Sequence, residues 1–419
     1  MSTHDPRKVV EDLRDHLAAH DKTLIFLFGA GTSSSINIAP LPAAGAKRDY
    51  KPLVPAIKSL TERCKAAVKN LGANFEKALE ILESQCVECK KPVNIENILS
   101  RVHFKIDAIG KDEKLLGLEK SDLEKLETTI LKTIAGAVNP KGEIIPDNLP
   151  HDDFATWIKC AARTAPLEIF TTNYDILIER SIEAAHIPVF DGFVGSMEPF
   201  FYADSLDRSE IIPPPSWVRL WKIHGSVNWK IAKNKIEQKI VRCTEPILTG
   251  EMILPSHRKY DESRKQPYLA LLDRLSNVLN HEHALLITCG YSFGDEHINA
   301  IIFNNLDNRP TTHVISLQYE ELSTNTQLVE WAQKKSNFTV LGPSSGVISG
   351  RLGTWRLIQP VDDKSSSFMD TAFDSKAYVE AGVAAPATEA PADNFTGTMR
   401  LGDFNWLCKF LNTMGRKTG

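Results

Sequence analysis

The sequence predicts an α/β fold, an open and mostly parallel sheet interrupted by a helical insertion. Three observations predict it. Continuous apolar runs of strand length recur, such as Leu24-Ile25-Phe26-Leu27-Phe28 and Leu285-Leu286-Ile287, and such runs fit strands covered on both faces by helix layers. Helical periodicity fills the intervals between several of them, which implies parallel crossovers. One interval, residues 53–165, is helical in character throughout and of a size for a small domain.

Taken in order, residues 6–20 read as a helix with Val9, Val10, Leu13 and Leu17 on one face. Residues 23–28 follow as a strand. In the insertion, Leu71, Phe75, Leu79 and Leu82 keep helical spacing, as do Leu115, Leu118, Leu123, Leu126, Ile130 and Ile134. Asn139-Pro140-Lys141-Gly142 and Pro146 mark breaks. Strands return at 167–170, 187–190, 218–223, 252–254, 284–289, 313–317 and 338–341, with helices at 267–281 and 296–306. Residues 381–393 form an Ala/Pro-rich, semi-extended linker. The tail beyond it carries Phe404, Trp406, Leu407, Phe410 and Leu411, too short a segment for its own core. It must dock on its own chain or on a neighbour. The expected division is an N-terminal helix at 1–22, one α/β body from 23–52 and 166–345, the insertion at 53–165, and a C-terminal extension at 346–419.

The 419 residues are 42% hydrophobic and 24% charged, as in soluble globular proteins. A net charge of −4 gives no electrostatic case for nucleic acid as the main partner. The first residues are amphipathic and charged, unlike a signal peptide, and no apolar run approaches the ~18 residues of a membrane span. A cytoplasmic protein without a membrane segment is expected. The seven cysteines, Cys64, Cys86, Cys89, Cys160, Cys243, Cys289 and Cys408, are scattered and odd in number, which argues against a disulfide framework. Cys86 and Cys89 make a single C-x-x-C, whereas a structural zinc site usually needs a second pair or two histidines. Two helix cysteines without a metal are expected.

Four short motifs carry the chemistry. The first strand ends in Gly29-Ala30-Gly31-Thr32-Ser33, where glycines let backbone N–H groups approach a phosphate and a following helix start favours negative charge. A tight strand-to-helix turn would use the same residues. The strand at 167–170 delivers Thr172, Asn173 and Asp175 to the start of a helix. Both Asn and Asp suit helix capping, and both could equally face a ligand. The run 284–289 ends in Gly290-Tyr291-Ser292, followed by Asp295 as an evident N-cap. His224 leaves the strand at 218–223 before Gly225-Ser226. Histidine ordinarily titrates near neutrality, which suits proton transfer. In open α/β sheets ligands sit outside the carboxyl ends of the strands, so motifs at that level support one another.

Together, Gly29-Ala30-Gly31-Thr32-Ser33, Thr172-Asn173-Tyr174-Asp175, His224-Gly225 and Gly290-Tyr291-Ser292 resemble the sirtuin family, specifically its bacterial sirtuin-like NAD-hydrolase branch. The resemblance covers residues 23–317, interrupted by the insertion. It implies a Rossmann-like sheet and NAD as substrate. Gly29, Ala30, Gly31, Thr32 and Ser33 would hold the pyrophosphate, Gly290 and Ser292 would contact the adenosine half, and Thr172 would also bind the cofactor. Asn173 would face the nicotinamide ribose and orient a water or ribose hydroxyl, Asp175 would fix the neighbouring loop or the nicotinamide pocket, and His224 would be the general base. Cleavage of the nicotinamide–ribose bond leaves an oxocarbenium-like sugar, so the chemistry relies on positioning, water control and one modest base. No metal is expected.

The resemblance departs from protein-deacylating sirtuins, whose zinc ribbon has two C-x-x-C pairs after the asparagine motif; Cys86 and Cys89 precede Asn173. Residues 192–220 are read as a loop over the site or at an interface. The expected function is NAD+ glycohydrolysis, linked by the resemblance to antiphage defence through NAD depletion. Alternatives are a protein deacylase or ADP-ribosyltransferase, and a non-catalytic sensor of NAD or ADP-ribose that acts by oligomerisation. The resemblance suggests a homo-oligomer and a HerA-like partner ATPase, with the insertion and the tail as contacts. No P-loop occurs in this chain.

Overall fold

The structure, a computed structural model, describes residues 2–40, 49–140, 144–161, 163–208, 210–233, 238–245, 247, 266–358, 366–375 and 397–415. The expected strand at 252–254 and the linker at 381–393 lie outside them.

The chain begins with a short strand β1 (Ser2–His4) and helix α1 (Pro6–Ala18). Asp5 caps α1 by accepting from Arg7 N, with Pro6 in the first turn. Strand β2 (Leu24–Phe28) is buried throughout and runs into a five-residue helix α2 (Ala30–Ser34). The insertion supplies α3 (Ile57–Lys69), α4 (Ala73–Glu88), α5 (Ile95–Ala108) and α6 (Lys120–Val138). These helices close around an apolar core that includes Cys64, Leu79, Leu82, Ile98, Leu126 and Ile130 and that also takes in Ile36, Leu177 and Val227 from outside the insertion. Leu115 and Leu118 belong to a tight turn rather than to helix, because Leu116 and Gly117 adopt positive φ there. Cys86 lies in the last turn of α4 and Cys89 is its C-cap.

Helix α7 (Pro150–Cys160) leads to β3 (Leu167–Thr171) and α8 (Leu177–Ala184). After β4 (Val189–Phe190), the stretch read as a loop instead forms β5 (Phe193–Val194), β6 (Phe200–Phe201) and one 3-10 turn at Ala203–Leu206. Strand β7 (Val218–Lys222) precedes β8 (Trp229–Lys233) and β9 (Gln238–Arg242). The four strands β5, β6, β9 and β8 make a small antiparallel sheet. Then come α9 (Tyr268–Leu279), β10 (Leu285–Cys289), α10 (Glu296–Asn308), β11 (His313–Leu317), α11 (Thr326–Lys334), β12 (Phe338–Leu341), β13 (Ser345–Ile348) and β14 (Arg351–Trp355). Helix α12 (Ser366–Ala372), the short pair β15 (Phe373–Asp374) and β16 (Thr398–Met399), and α13 (Phe404–Gly415) complete it.

Ten strands form one sheet in the order β1-β14-β13-β12-β11-β10-β2-β3-β7-β4, parallel except for the pairs β12–β13 and β13–β14. It is the expected α/β, Rossmann-like, mostly parallel sheet. Alternate side chains of β2 enter opposite cores. Phe26 and Phe28 pack with Phe154 and Phe404 on one face, while Ile25 and Leu27 join Leu271, Leu286 and Ile302 on the other. Both faces are thus covered, which is why these strands read as unbroken apolar runs. The tail docks on its own chain, with Leu407, Cys408, Phe410 and Leu411 fully buried in the first of those cores. No helix among the described residues is long and apolar enough to cross a membrane.

Candidate active site

Strands β10, β2, β3 and β7 are neighbours in that order and mutually parallel. They therefore end at one edge of the sheet. The four motif loops, 29–33, 172–175, 224–226 and 290–292, leave these four strand ends side by side, at the edge where open α/β sheets bind ligands.

The glycines first serve contact between loops. A Cβ on Gly29 would lie 2.4 Å from Gly290 O, and one on Gly31 would lie 2.5 Å from Gly290 Cα. Gly290 has φ +66°, and a Cβ there would lie 2.6 Å from Thr32 N. Gly29 N donates to Cys289 O and Gly31 N to Gly290 O, each at 3.1 Å. Backbone meets backbone here, with no space for side chains. Ala30, Ser292 and Gly294 stay exposed at the rim, with Gly31, Thr172 and Tyr174 half-buried. Thr172 N donates to Phe28 O at 3.0 Å and stitches the β3 loop to the end of β2.

Asn173 lies buried behind that rim, and its amide orientation follows from its neighbours. Thr32 Oγ1 donates to Gly29 O at 2.9 Å, and Ser33 Oγ donates to Asp175 Oδ2 at 2.7 Å. Each hydroxyl has one proton, so each can only accept from Asn173. Nδ2 accordingly donates to Thr32 Oγ1 at 3.0 Å and to Ser33 Oγ at 2.8 Å. The carbonyl oxygen Oδ1 is turned to the opposite side. Asn173 does not cap α8, so its place at the helix start is not explained by capping. Asp175 serves the helix start instead, since its Oδ1 accepts from Leu177 N at 3.1 Å while Oδ2 holds Ser33. Each oxygen of Asp175 thus accepts a bond that braces the loop.

His224 belongs to a second cluster. Its Nε2 lies 3.0 Å from Asp295 Oδ2, with both side chains buried. A carboxylate only accepts, so Nε2 carries the proton that faces Asp295. Asp295 Oδ1 meanwhile accepts from His297 N and Ile298 N and caps α10. The Tyr174 ring lies 6.4 Å from that of His224, centroid to centroid. Beside the first cluster sits Lys222, also buried, whose Nζ contacts Asp175 O and donates to Glu179 Oε1 at 2.9 Å.

Sequence reasoning assigned Asp295 only its cap and passed over Lys222. The cap was legible because Asp295 precedes a helical pattern; its bond to His224 spans 71 residues and leaves no local signal. Lys222 stands inside an apolar run, and that incongruity was the available sign. Among the described residues no group of three or more His, Cys, Asp or Glu side chains is placed to hold a metal ion.

The fold and site define an α/β protein whose four motif loops share the carboxyl edge of a mostly parallel sheet. Residues 167–341 match the family model of the SIR2-like domain, from the first residue of β3 to the last of β12. Such a domain is consistent with an NAD-utilising enzyme. The match contains Asn173, Asp175, His224, Gly290 and Asp295 but not the loop 29–33, which β2 brings to the site by pairing between β10 and β3. No curated protein matches the chain.

Proposed function

We propose that the protein is an NAD+ glycohydrolase that releases nicotinamide and ADP-ribose. The observation that carries this reading is the fixed amide of Asn173. Two hydroxyls with committed protons hold its nitrogen, which aims a hydrogen-bond acceptor away from the protein network, where it can orient a ribose hydroxyl or a water. Such positioning is a large part of a reaction that needs no strong acid. His224 takes the proton, and the Asp295 carboxylate stabilises the imidazolium that results, as in other carboxylate–histidine pairs. The proposal places the loop 29–33 toward the pyrophosphate of NAD, and Gly290 and Ser292 toward its adenosine half.

NAD depletion in antiphage defence, a homo-oligomeric assembly and a HerA-like partner ATPase belong to the same proposal. We assign assembly contacts to the helical insertion rather than to the tail, whose apolar face is buried in its own chain. Incubation with NAD, followed by chromatography of the products, tests the activity. Nicotinamide and free ADP-ribose in equal amounts, both lost in His224→Ala, are expected. Nicotinamide with ADP-ribose attached to an added acceptor would instead identify a transferase or deacylase. Binding of NAD without cleavage, with or without candidate partners, would identify a sensor.

A further inference from the structure

The motifs occupy one end of β3 and β7, and a cavity of about 250 Å3 opens at the other end of the same two strands. It is lined by their first residues, Leu167 and Val218, and by the C-terminal part of α7. Its basic lining residues are Lys159, Arg163 and His186, and among the described residues no carboxylate side chain lines it.

Arg163 donates to Leu17 O at 3.3 Å, Ala19 O at 3.2 Å and Lys22 O at 2.7 Å, which ties the end of α1 to the approach to β3. None of these acceptors is an anion. Its Nε is shielded from solvent and has no acceptor among the described residues. Lys159 uses one of its three donors on Ala185 O at 3.1 Å. Neither cation has a carboxylate within 4.0 Å among the described residues. Arg163 is half-buried and feels the charge of Asp21, Lys159 is exposed, and an anion placed between the two would be attracted by both. Trp217, 37% exposed, and the rings of Pro188 and Pro215 add a flat apolar wall. The volume falls below the ~300–1,000 Å3 usual for larger ligands, which leaves room for one ring and one anionic group rather than a dinucleotide.

We infer that this cavity binds a small aromatic carboxylate, its anionic group between Lys159 and Arg163 and its ring against Trp217. This site is independent of the reaction at the motif loops. Calorimetric titration of the full chain with benzoate, and with benzyl alcohol as a neutral control, tests it. Benzoate is expected to bind at millimolar concentration or below. Benzyl alcohol, and benzoate with the exposed-site variant Lys159→Gln, should bind roughly tenfold or more weakly. Trp217→Ala should weaken benzoate as well, whereas Asn173→Ala should leave its affinity unchanged. Absence of benzoate binding, equal binding of the neutral control, or parent-like affinity in both Lys159→Gln and Trp217→Ala would overturn the assignment. So would loss of binding in Asn173→Ala, which would place benzoate at the motif loops.

Discussion

At its carboxyl end β2 turns into α2, where Thr32 and Ser33 join a web of hydroxyl, amide and carboxylate groups; along its length, Phe26 and Phe28 press against Phe154 and the tail residue Phe404. The first region is held by directional bonds whose donors and acceptors are matched one to one. The second is held by area, in ring pairs such as Phe28–Phe404 with centroids 5.2 Å apart and nearly perpendicular. The two therefore fail in different ways. A polar web fixes the orientation of single groups, so a small change there alters chemistry while the fold survives. An apolar seat tolerates no loss of volume, so a change there alters stability first.

The largest effect expected of this contrast is on turnover. Asp295→Asn keeps a side chain that caps α10 about as well and removes the charge opposite His224. NAD cleavage should fall by about 10²–10⁴-fold with little change in melting temperature. A matching loss of stability and activity would show that the residue is only a cap. Next comes Phe404→Ala, which empties a buried seat between Phe28, His151 and Phe154. It should cost about 3–5 kcal/mol in denaturant unfolding. A cost near zero would show that the tail is not part of the core.

The smallest effect sits at the junction of the two kinds of chemistry. His151 is fully buried beside Phe404, and neither ring nitrogen has a partner among the described residues. Burial pushes its pKa down to about 4 from 6.5, against the weaker pull of Asp152. A histidine depressed in this way binds fewer protons folded than unfolded. Its full stability is therefore present above pH 6.5 and declines as pH falls toward 4, by about 3 kcal/mol at most. His151→Leu should remove that part of the acid sensitivity and stabilise the protein more at pH 5 than at pH 7.5. Identical pH profiles for the two proteins would contradict the assignment.

The parts of the fold that carry continuous apolar runs were legible: β2, β3, β10, β11 and β12 stand where the sequence placed them. Strand β3 was legible despite Glu168, a buried carboxylate satisfied by Arg219, Trp221 and Arg274 from distant elements. Strand β1 was not, because Ser2-Thr3-His4 has no apolar signal and becomes a strand only by pairing with β14. The strands at 193–194 and 200–201 are too short for any periodicity to show, and they exist by pairing with each other and, at Phe200, with β9. At the site, strand-end position marked Asn173 and His224 as candidates, and the family resemblance supplied the roles expected of them. Their orientations could not, since Thr32 and Ser33 lie some 140 residues from Asn173 and Asp295 lies 71 from His224.

The proposal as a whole turns on Asn173 being held to face the substrate rather than to hold the fold. The decisive measurement is nicotinamide release by the purified protein and by Asn173→Ala, alongside an NAD-binding titration and thermal unfolding of both. The expected result is that the parent releases nicotinamide, and that the variant remains folded, still binds NAD and releases none above background. Parent-like turnover in Asn173→Ala would contradict that role for the amide.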